Sequence, residues 1–286
     1  MLVTYGENNK QNNKQNNKQK NSGEQLENPM NQLTKLGVAA AFLGAVSGCA
    51  QAATDTVTET RPIDARVVRV KLDGVVDLRI RQGSSAQLVL TGDARLLGKT
   101  TTRQRGDTLN IDTEVRSSTF NFGRSEGLRA ELVLPDLQEI SSESVGSTMV
   151  SGFAGDKLAI NLDGAGSMSV SSDYRMISAS LGGVGSLKVH GVNSEAIELN
   201  LQGAGVVTLS GRSKSLRAEL GGLGSLDARQ CAVESVALEL SGLGNATVNA
   251  QNSANLMLSG MGSVTVFGKP ANRKVVLDGL GKVNWK

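Results

Sequence analysis

The sequence predicts an all-β fold, a parallel β-helix or solenoid of 19–20-residue repeats preceded by a β-rich section that caps it. Three observations predict this fold: glycine provides 34 of 286 residues, aromatic residues make up 3%, and a Gly-x-Gly motif recurs at nearly constant spacing. Glycine suits tight corners, whereas each glycine inside a helix costs about 1 kcal/mol. The composition therefore does not fit a helical bundle.

A leucine precedes each Gly-x-Gly motif, and the spacing of these leucines gives the length of the repeat. Around each motif the apolar residues share one parity, so each unit is two short strands with one common buried face. A unit of this length has no room for a helix, and one unit per coil would stack equivalent residues about 4.8 Å apart. The leading residues are Leu162, Leu181, Leu201, Leu220, Leu240, Leu258 and Leu277.

The paired glycines are expected to form a corner that requires positive φ or a bulge. A degenerate first copy occupies 142–148, and the polar segments 190–195 and 210–215 are expected to be turns that link units. The repeat glycines are Gly164, Gly166, Gly183, Gly185, Gly203, Gly205, Gly222, Gly224, Gly242, Gly244, Gly260, Gly262, Gly279 and Gly281.

The residue between the two glycines is apolar in every motif. Strict alternation would point this row outward as a partner surface, but seven apolar side chains in succession are typical of a core. We expect the corner to turn them inward. The row is Ala165, Val184, Ala204, Leu223, Leu243, Met261 and Leu280.

The residue after each motif is mostly small and polar. Such a row could bind sugar, but we expect a stacked corner whose side chains hydrogen-bond to one another. The row is Ser167, Ser186, Val206, Ser225, Asn245, Ser263 and Lys282.

The section at 61–140 is predicted to be short strands, each with one buried face, because apolar residues alternate there between turn signals. Within it, the polar stretch 117–127 is predicted to be a loop. The repeats follow at 141–286. We expect the N-terminal strands to cap one end of the core and Trp285 to cover the other.

The first residues predict export. Residues 1–29 are a polar low-complexity leader, which a start at Met30 instead of Met1 would omit. Residues 30–48 have the order of a signal peptide, with Lys35 followed by an apolar stretch too short to span a bilayer. The segment 46–49 resembles a lipobox, the lipidation signal of bacterial lipoproteins.

That resemblance implies a lipid on Cys49 and membrane attachment through it, with an ordinary secretory signal as the alternative. Residues 49–60 would be a flexible tether. Because Ala50 rather than Asp follows the cysteine, the resemblance implies the outer membrane, with the domain facing either the periplasm or the cell surface.

Charge and motifs indicate no catalytic centre. Residues 1–48 hold five of the 30 basic and three of the 27 acidic residues, which leaves 25 and 24 and gives no argument for nucleic acid. His190 is the single histidine, so a zinc site is not expected, and Cys231 is expected to be a buried small hydrophobe. Glu219 and Glu239 would stack on adjacent coils, either as a carboxylate pair or, as we expect, as solvated side chains.

The Gly-x-Gly-Ser/Asn repeats, the β-rich section before them and the leader resemble the head GIN domain family, named as putative auto-transporter adhesins. The resemblance covers roughly 61–286 as one continuous domain and implies a largely β-helical envelope protein. We therefore predict a non-enzymatic lipoprotein without a cofactor. Its rigid surface would serve binding, adhesion or scaffolding toward a protein or glycan ligand, or toward further copies of itself. The alternative is a β-helical polysaccharide-active enzyme or a lectin-like module, which the scarcity of aromatic residues disfavours.

Overall fold

A computed structural model describes residues 56–114 and 127–286. These residues belong to one compact unit, Ala52–Lys286. The predicted leader, signal peptide, Cys49, most of the tether and nearly all of the predicted loop at 117–127 lie outside the described residues.

The described residues form strands and one short helix. The N-terminal elements are β1 (Thr56–Arg61), β2 (Arg69–Asp73), β3 (Asp77–Gln82), β4 (Gln87–Asp93), α1 (Ala94–Gly98), β5 (Thr100–Arg105), β6 (Thr108–Thr113), β7 (Arg129–Leu134) and β8 (Glu139–Ser142). The remaining strands are β9 (Ser147–Leu162), β10 (Ser167–Leu181), β11 (Val184–Leu201), β12 (Ala204–Leu220), β13 (Ser225–Leu240), β14 (Asn245–Leu258), β15 (Ser263–Phe267), β16 (Asn272–Leu277) and β17 (Lys282–Trp285).

The strands β9 to β14 form a parallel β-solenoid, and the solenoid has about seven turns in all. Neighbouring coils pair in register, so that Leu181 lies beside Leu201 and Leu220 beside Leu240. The leading leucines from Leu162 to Leu258 are all 3% exposed or less. The predicted fold class and its continuous apolar ladders are thus confirmed.

We had expected the polar segments between motifs to be turns that separate strands, but strands run through them. β11 continues through 190–195, bending at Gly191, whose φ is +68°. Val192 and Ser194 are buried within this segment, because the alternation shifts by one residue at the bend and then resumes. The long strands instead end at the Gly-x-Gly corner.

The spatial order of the N-terminal strands in the stack differs from their order in the chain. β2 pairs in parallel with both β6 and β8, and β3 pairs in parallel with both β7 and β9. The β2–β3 coil therefore lies between a coil made from β6 and β7 and the first repeat. β5 pairs antiparallel with β6, β4 with β7, and β1 with β4, which places antiparallel strands over this end of the stack. The predicted N-terminal cap is confirmed.

Helix α1 was not anticipated from the sequence. Asp93 caps its N-terminus by accepting a hydrogen bond from the Arg95 amide at 2.8 Å. With five residues it is too short to cross a bilayer, and no other helix of the described ranges could do so.

The last coil is more open than the sequence suggested. Trp285 is half-buried and packs against the core, with the Arg273 guanidinium 4.5 Å above its ring. Leu277, however, is 52% exposed, because β16 pairs on one side only, with β14. Trp285 therefore contacts the end of the core but does not cover this leucine.

Candidate interaction surface

The Gly-x-Gly corner is built by close stacking of successive coils. A Cβ placed on Gly183 would lie 2.1 Å from the carbonyl oxygen of Gly164, and one on Gly203 would lie 2.0 Å from that of Gly183. The second glycine of each motif is equally crowded, since a Cβ on Gly185 would lie 1.9 Å from the Gly166 oxygen. Real Cβ atoms do not approach a carbonyl so closely, so this corner admits only glycine at both positions.

Positive φ, one of the two explanations that we considered for these corners beside a bulge, is not the reason for the glycines. The described glycines with positive φ number seven, and none belongs to the fourteen repeat glycines. Coil-to-coil contact, rather than backbone conformation, makes glycine necessary at each corner.

The residue between the glycines points outward, against our expectation that it would turn into the core. Val184 is 63% exposed, Leu223 66% and Leu280 82%. The flanking glycines face the neighbouring coil, so the alternation of the strand carries the middle side chain to solvent. We call this set the apical row: Val145 of the degenerate copy, Ala165, Val184, Ala204, Leu223, Leu243, Met261 and Leu280, all of them exposed.

The apical row is long and continuous. Eight side chains spaced by one coil extend over about 34 Å. Their combined exposed apolar area is on the order of 600 Å², the upper end of what a monomeric protein ordinarily leaves in one patch. The apolar character of these residues had suggested a core position, whereas the alternation of the strand sets their direction.

Small or uncharged residues flank most of the apical row. On the side that precedes it, the central residues are Gly182, Gln202, Gly221, Ser241 and Ser259; on the other side they are Ser186, Val206, Ser225, Asn245 and Ser263. Charges stand only toward the ends of these flanks, at Glu143 and Asp163 on the first coils and at Asp278 and Lys282 on the last, and all four are exposed.

The polar row after the motif is not the hydrogen-bonded ladder that we expected. Within the row, one pair of side chains is joined: Ser263 Oγ donates to Asn245 Oδ1 at 2.7 Å. Val206, in the same row, is 45% exposed and extends the apolar surface sideways.

Glu219 and Glu239 are direct neighbours on adjacent coils, as their spacing predicted. Arg217 donates from its guanidinium to Glu219 Oε1 at 3.1 Å, which supplies Glu219 with a counter-charge. The depression that the two glutamates line is open and has a volume of about 170 Å³. No group of three or more His, Cys, Asp or Glu side chains within 56–114 and 127–286 is placed to hold a metal ion.

The single histidine and the second cysteine are far from forming a catalytic pair. His190 is half-buried, with Nδ1 3.2 Å from Ser210 Oγ. Cys231 is fully buried in the core as predicted, and burial raises the pKa of its thiol to about 11. At neutral pH this thiol is protonated and has little nucleophilic character.

The aromatic side chains of the repeats offer little for stacking a sugar. Phe153 and Tyr174 are each 1% exposed and belong to the core. The Trp285 ring is half-buried and already carries Arg273 on its face. These placements weigh against a glycan platform on this part of the chain.

The fold and surface together define a glycine-cornered β-solenoid whose distinguishing feature is an exposed apolar edge rather than an enclosed pocket. The chain belongs to the family described as "putative auto-transporter adhesin, head GIN domain", whose model matches residues 68–270. The family is thus of adhesion type, which agrees with the resemblance seen in the sequence.

Solved structures share this fold. A putative adhesin from Bacteroides fragilis is 19% identical, with a TM-score of 0.60 over 82% of this chain and 98% of its own. A putative adhesin from Parabacteroides distasonis is 18% identical, with a TM-score of 0.73 over 81% and 97%. A structure described as a putative lipid binding protein, also from P. distasonis, is 19% identical, with a TM-score of 0.72 over 81% and 96%. A search of curated protein sequences found no match.

Proposed function

We propose that this protein is a non-enzymatic, lipid-anchored protein of the bacterial outer membrane whose rigid solenoid binds a protein partner in adhesion or scaffolding. The observation that carries the proposal is the exposed apical row. A contiguous apolar surface of this size, set on a rigid frame, is typical of protein–protein contact. The adhesion-type family supports the same role.

The anchoring part of the proposal is supported by the sequence of the leader. Lys35, the apolar stretch and the small residues before Cys49 occur in the order that lipoprotein processing requires. Residues 56–60, which we had expected to be part of a flexible tether, belong to β1 and pair with β4. The lipid on Cys49 would hold the domain at the membrane through the residues that precede β1.

The non-enzymatic part is supported by the state of the candidate groups. Glu219 is paired with Arg217, the Cys231 thiol is buried and protonated, and His190 contacts a serine rather than a carboxylate. None of these groups is placed as an activated acid, base or nucleophile.

The first test is the location of the domain. Protease is added to intact and to permeabilised cells, with a known periplasmic protein as control. Digestion on intact cells would support adhesion at the surface. Protection until permeabilisation would contradict adhesion and leave scaffolding within the envelope. A Cys49→Ala variant that still fractionates with the membrane would contradict the lipid anchor.

The second test is the role of the apical row. Cells carrying Leu223→Glu are compared with cells carrying Met257→Glu, which adds the same charge at a side chain of similar character, 48% exposed and outside the row. We expect Leu223→Glu, and not Met257→Glu, to abolish attachment or envelope assembly. Equal behaviour of the two variants would contradict the proposed function.

A further inference from the structure

We propose that the partner of the apical row is the apical row of a second copy of this chain, in a parallel side-by-side dimer whose twofold axis runs along the solenoids. This inference rests on the proposed function, since it names the protein that the row binds. Area, polarity, charge and symmetry of the row support it.

The area of the row suits a dimer. A stable interface buries about 800 Å² on each partner. The apical row exposes on the order of 600 Å² of apolar surface, and the small flanking residues lie in position to add the remainder. Because the two rows have the same spacing of one coil per side chain, every rung of one copy meets a rung of the other.

The distribution of charge around the row suits a second copy of the same chain as the partner. The centre of a protein interface is depleted of charge, and charged residues stand at its rim. The apical row has this pattern, because its flanks are uncharged from Gly182 to Ser263 and charged toward the ends of the stack.

The charges at the ends select the parallel arrangement. In a parallel pair the flank before the row in one copy faces the flank after the row in the other. Asp278 then faces Lys282 of the second copy, twice by symmetry, and Asp163 faces the uncharged Ser167. An antiparallel pair would place like flanks together, with Glu143 opposite Asp278, and like charges in contact oppose association.

The twofold symmetry of the parallel pair also suits this row and the membrane anchor. An isologous interface needs one self-complementary patch, which a row of similar side chains provides. In the parallel pair both chains enter their solenoids at the same end, so both tethers can reach one membrane.

The test uses site-directed crosslinking of the full-length protein in cells. Val184→Cys, Leu223→Cys and Met261→Cys are made singly, and a short bismaleimide is added. Met257→Cys is the matched control, and the unsubstituted chain controls for Cys49 and the buried Cys231. We expect each of the three single variants, and neither control, to yield a crosslinked dimer.

Two outcomes would overturn the inference. A crosslink of Val184→Cys that forms only when this variant is mixed with a Leu243→Cys variant would show an antiparallel pair. Crosslinks no stronger than those of Met257→Cys would show no dimer at the row. If Leu223→Glu nevertheless abolishes attachment, the proposed function stands and the partner is a different protein. If attachment is also intact, the proposed function fails as well.

A charge-reversal pair tests the orientation independently. Lys282→Glu should weaken dimerisation, measured by the crosslinking yield at Leu223→Cys, because it places two carboxylates opposite each other. Adding Asp278→Lys to the same chain should restore the yield, since the facing charges are again opposite. Failure of this rescue would overturn the parallel arrangement.

Discussion

The Tyr174 hydroxyl donates a hydrogen bond to the main-chain carbonyl oxygen of Leu137, 37 residues earlier in the chain. Tyr174 lies on β10 and Leu137 just before β8, and β9 stands between those two strands. The ring passes beside Gly155 of β9, where a Cβ would lie 3.0 Å from the ring Cε1. This bond joins two coils that are not neighbours in the stack.

Replacing Tyr174 by phenylalanine should lower the free energy of unfolding by about 1–3 kcal/mol, because it removes a buried donor and leaves the Leu137 carbonyl without it. Burial, with a smaller contribution from Asp136, raises the pKa of the Tyr174 phenol above its ordinary value, so the donor is present at neutral pH. Urea denaturation followed by circular dichroism measures the change. An unchanged midpoint would show that the bond adds nothing to stability.

Replacing Gly203 by alanine should destabilise the solenoid by about 1–3 kcal/mol or more, as overpacking against a rigid backbone does. The new Cβ would lie 2.0 Å from the Gly183 oxygen. Gly98→Ala is the matched control, because nothing lies within 4 Å of a Cβ there. Thermal melts of both variants give the comparison, and equal melting temperatures would refute the steric role of the corner.

Leu240 and Leu243 lie three residues apart, one in the core and the other on the surface, so their alanine variants test the two positions. Leu240 is fully buried, so Leu240→Ala should lower the free energy of unfolding by about 2–5 kcal/mol. Leu243 is 53% exposed on the apical row, and Leu243→Ala should change the stability of the monomer by less than about 0.5 kcal/mol. Chemical denaturation at low protein concentration measures both. A large loss for Leu243→Ala would mean that its side chain packs inward.

Stability should fall as the pH rises from 9 to 11, in part through Cys231. The thiol ionises near 9.0 when the chain is unfolded but near 11 in its buried site. The unfolded state therefore holds fewer protons in this window, and each pH unit lowers the unfolding free energy by up to about 1.4 kcal/mol. Denaturation of the parent and of Cys231→Ala across this range isolates the contribution. Parallel pH profiles for the two proteins would contradict it.

The repeat residues made most of the fold predictable. Leucines at an almost constant spacing, with apolar residues at one parity, fixed both the coil length and the buried face, and Leu162 and Leu181 lie in the core as expected. Local alternation is a property of the strand itself, so it could be read without knowing what the strand contacts.

The candidate surface was less predictable, because it depends on contacts between coils. The crowding of Gly183 against Gly164 arises only when the coils are stacked, and no single repeat reveals it. The apolar character of Leu223 and Met261 indicated a core, yet alternation alone gave their true direction. Helix α1 was missed because five residues show no helical periodicity.

The position of β2 and β3 has a consequence for how the molecule is made. These strands precede β6 and β7 in the chain but lie between them and the first repeat. As a result, the Ser147 amide donates a hydrogen bond to Asp77 Oδ1, a residue 70 positions earlier. Each later coil rests on the one before it, with partners about 20 residues away. The N-terminal block can therefore be complete only after β6 to β9 have been synthesised. Removing a single internal repeat should shorten the stack, whereas removing β2 and β3 should leave β6 and β7 without the strands that join them to the first repeat.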